Sequence, residues 1–248
     1  MAIFYKFLLC AGCFFTIQAF AETKMDKKES INGVSLQSGK NNSTRVYSGS
    51  VTKSFPYGIS SVQNSIVNFQ DRCNNEFKSR RKFTNKSTSC KYHNDNLVET
   101  IVVKDIKTGW VKEANEVERY VLGRQVYNRG SFGYYELVTI HHGKNALNQN
   151  TVTVIQKMMN DKETENYIKP AFEKDSAFDT ATGIFVLTEI SPKETTLHYE
   201  YKAQTEHWVL NKEVSIPQVF ASISKSINDL VKTVDTESSI IARDLASN

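Results

Sequence analysis

The chain has 248 residues, and its 31 Lys and Arg against 27 Asp and Glu give a formal net charge of +4. So small an excess lacks the concentrated basic face that nucleic-acid binding uses, so no nucleic-acid partner is expected. After residue 21 no stretch approaches the roughly 20 consecutive apolar residues that cross a bilayer, which excludes a polytopic helical membrane protein.

Residues 1–21 have the three parts of a secretory signal. Lys6 is their only charge, Phe7 to Phe20 form an almost unbroken apolar run, and Ala19-Phe20-Ala21 has the small-x-small form read by signal peptidase. Cleavage is expected between Ala21 and Glu22. A lipoprotein reading of Cys10-Ala11-Gly12-Cys13 is weaker, because a lipidated cysteine follows the apolar stretch whereas Phe14-Phe15-Thr16-Ile17 follow Cys13. The mature chain is thus read as exported, periplasmic or secreted.

Residues 22–44 are polar, rich in Lys, Asn, Ser and Gly, and without a sustained period; they predict a flexible lead-in, with the folded domain spanning 45–248. Arg45 to Val51 has strand composition, and Phe55-Pro56-Tyr57-Gly58 interrupts it. Ile59, Val62, Ile66, Phe69 and Cys73 then recur at spacings of three and four, which predicts an amphipathic helix reaching towards Phe77. Two cysteines leave with the signal, so Cys73 and Cys90 remain in an oxidising compartment and a Cys73–Cys90 disulfide is the economical reading. Closing a loop of about 18 residues would stabilise by roughly 3 kcal/mol on the loop-entropy model. Lys78-Ser79-Arg80-Arg81-Lys82 is the densest basic patch. It reads as a solvated helix end, or as a peripheral contact with anionic membrane through Lys78, Arg80, Arg81 and Lys82.

From Leu97 the rhythm changes to period two. Strands are predicted over Leu97 to Ile106, Val117 to Tyr127, Tyr134 to His141 and Thr151 to Met159, with Asn128-Arg129-Gly130-Ser131 as a hairpin turn. A polar, helical excursion is expected near 161–174, followed by strands over Ile184 to Ile190 and Thr196 to Leu210. In the last of these, Leu197, Tyr199, Tyr201, Ala203 and Thr205 share a face, opposite His198, Glu200, Lys202, Gln204 and Glu206. One dry face and one wet face, with short turns, point to antiparallel pairing. A long helix closes the chain: Ser215 is a candidate cap, Pro217 suits the first turn, and Val219, Phe220, Ile223, Ile227, Leu230, Val231 and Val234 form its apolar stripe.

This order of elements resembles the START-like superfamily (Bet v 1, polyketide cyclase). The resemblance is carried by the Val46–Val51 strand, the Ile59–Phe77 helix, the strands from Leu97 to Leu210 and the Pro217–Val234 helix, and so covers nearly the whole mature domain without a diagnostic short motif. It implies an α+β, helix-grip fold, in which a curved antiparallel sheet wraps around the long C-terminal helix and leaves an apolar cavity between them. It also implies binding of lipids, sterols, polyketides or hormones, with cyclisation or dehydration in a minority of members. The export signal, the disulfide and the polar connection from Lys107 to Glu116 depart from that pattern.

No residue cluster specifies a reaction. The adjacent His141 and His142 point to opposite strand faces and cannot chelate one ion, so no metal is expected. A Gly-x-Ser-x-Gly elbow and a Gly-rich phosphate loop are both missing, and no cofactor is expected. The sequence leaves enzymatic activity open and favours its absence. Ligand-binding candidates are Tyr199, Tyr201, Phe220, Ile223 and Ile227 as cavity lining, with Arg119 and Tyr127 on the inward parity of their strand. Arg119 there would hold a ligand's carboxylate or phosphate. Asn128 to Glu136, with two glycines and three aromatics, reads as an ordinary hairpin or as an apolar rim. Glu206-His207-Trp208 reads as a packed tryptophan between solvated neighbours. The function expected is binding of a lipid-like or other apolar small molecule. The alternatives are an envelope interaction protein with a filled core, and a cyclase or hydrolase on the same scaffold.

Overall fold

The computed structural model describes residues 23–67, 97–107, 116–127, 135–159 and 178–246. Within them nine strands form one antiparallel sheet: β1 (Met25–Ile31), β2 (Val34–Asn41), β3 (Thr44–Phe55), β4 (Leu97–Lys107), β5 (Glu116–Tyr127), β6 (Tyr135–Lys144), β7 (Asn150–Met159), β8 (Thr180–Ser191) and β9 (Glu194–Thr205). Their spatial order is β1-β2-β3-β9-β8-β7-β6-β5-β4, so β9 closes between β3 and β8. Helix α1 (Ile59–Val67) follows β3, and α2 (Ile216–Ala246) ends the described chain. The architecture is α+β, a curved antiparallel sheet gripping a long C-terminal helix.

The period-two pattern fixes which side of the sheet faces the helices. In β9, Thr195, Leu197, Tyr199, Ala203 and Thr205 are buried and Tyr201 is half-buried, while His198 and Glu200 are exposed. Their partners across the ladder share that inner face, since directly paired residues point the same way. Burial along α2 recurs at Ile216, Val219, Phe220, Ile223, Ile227, Val234 and Ile241, which keeps one stripe against the sheet and α1. No described helix is long and apolar enough to cross a membrane.

Residues 25–41 do not form a lead-in. They make the β1–β2 hairpin, which pairs with β3 and buries Val34 and Leu36 completely. Asn32 and Gly33, at φ 51° and 80°, supply the left-handed turn that matches strand twist. Helix α2 holds the hairpin in place: Ser224 Oγ donates to the Ile31 carbonyl at 2.9 Å, and Asn228 Nδ2 reaches the Asn32 carbonyl at 3.4 Å.

Three further expectations are corrected. β9 ends at Thr205, and residues after it form a loop rather than more strand. Ser215 does not cap α2: it lies in a short 3-10 turn (Glu213–Ser215), and its hydroxyl donates back to the Val209 carbonyl. α2 continues past Val234 to Ala246, because Glu237 and Ser238 extend the buried stripe with polar side chains. Ser238 Oγ donates to Ser65 Oγ at 3.1 Å and Ser65 to the Val62 carbonyl at 2.7 Å, so hydroxyls join α1 to α2.

The signal segment, the Cys73 and Cys90 pair, the Lys78–Lys82 patch, residues 108–115, the hairpin and rim at 128–134 and the excursion at 161–174 lie outside the described residues.

Candidate functional site

The inner face of the sheet is built in transverse rows, one residue from each strand. One row runs Arg119, Val138, Gln156, Gly183, Tyr201, Gly49 and Leu36, crossing β5, β6, β7, β8, β9, β3 and β2. It carries two glycines, one on each side of Tyr201. The neighbouring row runs Val117, Ile140, Val154, Phe185, Tyr199 and Val51, and is apolar apart from the tyrosine hydroxyl.

Gly49 is where the helix is seated. A Cβ built there would lie 2.8 Å from Ile227 Cδ1, 2.9 Å from Ile223 Cγ2 and 3.2 Å from Leu36 Cδ2. The missing side chain thus lets α2 approach the β3 backbone. Phe220, one turn earlier, meets Tyr47 edge-on with centroids 6.2 Å apart. Phe220, Ile223 and Ile227 are all buried. Their chemistry is close packing of the α2 seam, so any bound molecule would lie beside them rather than beneath them.

Gly183 is used differently. Its space is taken by the end of the Tyr199 ring, with the hydroxyl 2.9 Å and Cε2 3.2 Å from a built Cβ. That ring also packs on Phe185, centroids 4.5 Å apart and planes at 41°. Tyr199 therefore leans across β8 from β9, and its hydroxyl reaches the row that contains Gln156 and Arg119.

The five expected site residues whose side chains are described fall into two groups. Tyr199 and Tyr201 belong to the sheet floor, and Phe220, Ile223 and Ile227 to the helix seam. Arg119 takes a backbone position in the floor row opposite Val138. Tyr127 closes the same strand, paired with Leu97. Gln156, half-buried on the inner face of β7, is a polar member of the floor that sequence reasoning missed. Its signal was its even spacing from Val152 and Val154. Gly49 and Gly183 were missed as well, since only cross-strand register reveals that both abut Tyr201.

At the end of the sheet where β9 stops, two buried side chains of β3 reach the β9–α2 loop. Arg45, 2% exposed, donates from Nε to the Asn211 carbonyl at 3.0 Å and from Nη1 to Ser38 Oγ at 3.3 Å. Tyr47 donates to the Leu210 carbonyl at 2.6 Å. Burial raises the Tyr47 hydroxyl above its ordinary value of 10.0, and the nearby Arg45 guanidinium partly opposes that rise. Among the described residues no three His, Cys, Asp or Glu side chains gather as a metal site.

No family model and no curated protein matches the chain. Solved structures do. Human STARD10 is 12% identical over 83% of this chain and 73% of its own, with a TM-score of 0.43. Human StAR-related lipid transfer protein 5 is 13% identical over 88% and 89%, with a TM-score of 0.43. A STAR-related lipid transfer protein from Xanthomonas axonopodis is 10% identical over 86% and 98%, with a TM-score of 0.40. At such low identities and scores, the fold stands on this chain's own strand order and helix placement.

Proposed function

We propose that this is an exported carrier that encloses a lipid-like or other apolar small molecule between the inner face of the sheet and the C-terminal helix. One observation carries the reading. The inner face is wider than the line on which α2 is seated: α2 meets β1, β2 and β3, and over β7, β8 and β9 lies only the nine-residue α1 among the described residues. From Gly49 the floor row runs on through Tyr201, Gly183, Gln156 and Val138 to Arg119, offering apolar surface with a few polar groups. Small-molecule sites commonly have that composition, with sparse polar groups fixing the orientation of an otherwise apolar ligand. In this reading Tyr199, Tyr201, Gln156 and Arg119 orient a ligand's polar end, and Ile223 and Ile227 bound the space on the α2 side. Export follows cleavage at Ala21-Glu22, and Cys73 with Cys90 forms a stabilising disulfide.

A second reading, an envelope interaction protein with a filled core, is favoured by the tight seating of Ile223 and Ile227 on Gly49. Native mass spectrometry of protein purified from its own compartment separates the two. A co-purifying lipid-sized mass, lost on organic extraction, is expected for the carrier. A bare polypeptide mass that also takes up no added fatty acid or phospholipid would leave the interaction protein standing.

A further inference from the structure

We infer that the floor is open over Ala181, and that Ala181 selects a rigid, planar ring system over a flexible acyl chain. The inference rests on the carrier reading and narrows it. On β7, β8 and β9 the inner-face residues divide along the strands. Val152, Val154, Phe185, Leu187, Leu197 and Tyr199 are buried, whereas Gln156, Met158, Ala181 and Tyr201 are half-buried. These four adjoin one another. Gln156 and Tyr201 pair with Gly183 from either side, and the Lys157–Thr182 pair sets Met158 opposite Ala181. Along the inner face of β8, exposure rises from buried Phe185 and Gly183 through Ala181 to exposed Asp179.

The accessible stretch has a flat bottom. Ala181 pairs with Ala203, which is 1% exposed, and Gly183 follows Ala181 on the same face. No side chain at these positions is longer than a methyl group. With strands about 4.8 Å apart and same-face neighbours about 7 Å apart, they leave a low shelf rather than a channel. Its sides are built by larger groups. The Tyr199 hydroxyl closes the inner end, 2.9 Å from a Cβ built on Gly183. Tyr47 pairs with Ala203 and meets the Phe178 ring edge-on at 6.5 Å. Trp208, expected to pack, is instead 69% exposed on the β9–α2 loop at this end, so its ring does not fill the shelf.

A bare floor between aromatic rings suits the face of a planar polycycle, and Met158 can adapt to its outline. A flexible chain gains less from a flat shelf and loses more freedom when it is ordered there. The polar groups beside Gly183 are the Gln156 amide and the Tyr199 hydroxyl, both uncharged. They suit a neutral hydroxyl or keto group on the ring system. A longer side chain at position 181 would occupy the shelf itself, which makes Ala181 the selective residue.

The test uses protein purified after export and delipidated, titrated with dehydroergosterol as a fluorescent ring probe and cis-parinaric acid as an acyl probe. The ring probe should saturate near one per chain and bind about tenfold or more tightly than the acyl probe. Ala181→Leu should weaken the ring probe about tenfold or more while moving the acyl probe by less than about threefold. Ala181→Val should fall between parent and Ala181→Leu, and its β-branched side chain suits a strand. Melts followed by circular dichroism should stay within a few degrees of the parent for Ala181→Val, which keeps the test sound if Ala181→Leu folds poorly. Acyl binding as tight as ring binding would overturn the inference and leave the carrier standing. Ring binding unchanged in a folded Ala181 variant would do the same. Uptake of neither probe by the parent would remove the inference together with the carrier reading.

Discussion

Gly49 and Gly183 flank Tyr201 from opposite sides, one on β3 and one on β8, and the space above each is occupied in a different way. Over Gly49 stand methyls of Ile223, Ile227 and Leu36, carried by the helix and the next strand. Ile223 Cγ2 branches from its own Cβ, so it moves only by a χ1 change that a helix disfavours or by a shift of the helix itself. Over Gly183 stands the tip of the Tyr199 ring, which a small rotation would swing aside. The β1–β3 half of the sheet is thus fastened to α2, whereas above the β8 glycine the nearest atoms belong to the end of one ring from the adjacent strand. A carrier needs both properties, a fixed grip and a floor that can change.

The largest effect that separates these halves is expected at Phe220. Phe220→Ala deletes a buried ring from the α2 seam and should cost about 3–5 kcal/mol, read as a lower urea midpoint. A loss below about 1 kcal/mol would mean that the seam collapses around the gap, and that α2 is not rigidly held. Gly49→Ala comes next. Overpacking against Ile223, Ile227 and Leu36 should destabilise by about 1–3 kcal/mol. Ile223→Val in the same chain keeps Cγ2 and should restore little of it. Ile223→Ala removes that methyl and should restore more, measured as a double-mutant cycle.

Tyr47→Phe probes the fastened half through a single hydrogen bond. The Leu210 carbonyl loses its 2.6 Å donor, and the cost should be about 1–2 kcal/mol. The pH dependence has a definite sign. Burial raises the Tyr47 value above 10.0, so the fold holds the proton where an unfolded tyrosine has released it. The stabilisation is complete below that ordinary value and declines as pH climbs through the raised one. Stability measured from neutral to strongly alkaline pH should therefore fall less steeply in Tyr47→Phe than in the parent. Equal slopes would show that Tyr47 does not contribute to the alkaline limb.

Much of the fastened half was legible in the sequence, but its edge was not. The α2 stripe from Val219 to Val234 and the alternation from Leu197 to Thr205 follow simple periods, and both match the burial seen. β1 escaped because it is an edge strand whose residues 26–30 are all exposed, so burial imposed no alternation on Met25–Ile31. Asn32-Gly33 was its one local signal. The last turns of α2 escaped because Glu237 and Ser238 occupy buried positions, which breaks an apolar stripe while continuing a structural one. Trp208 was misjudged because hydrophobicity indicates a preference for burial, and the fold denies it by stapling the loop through Arg45 and Tyr47. At the floor, Tyr199 and Tyr201 could be chosen by parity within a strand. Gly183, Gly49 and Gln156 depend on register between strands, and no single strand encodes that.

The smallest expected effect on stability is the one most specific to function. Gly183→Ala meets the end of a ring rather than a helix, so Tyr199 should tilt aside at a cost of about 1 kcal/mol, the low end of the overpacking range. The tilt lifts the Tyr199 hydroxyl away from the row of Gln156 and Arg119, and fills floor that a ligand would use. Gly183→Ala should therefore keep the parent melting temperature within a few degrees and lose the co-purifying mass. Gln156→Leu should keep both stability and a bound mass while favouring a less polar species, since it removes a polar partner and leaves the volume nearly unchanged. If Gly183→Ala retained the parent's cargo in full while Gly49→Ala lost stability as expected, the β8 side would be ordinary core. The glycine there would then serve only the packing of Tyr199.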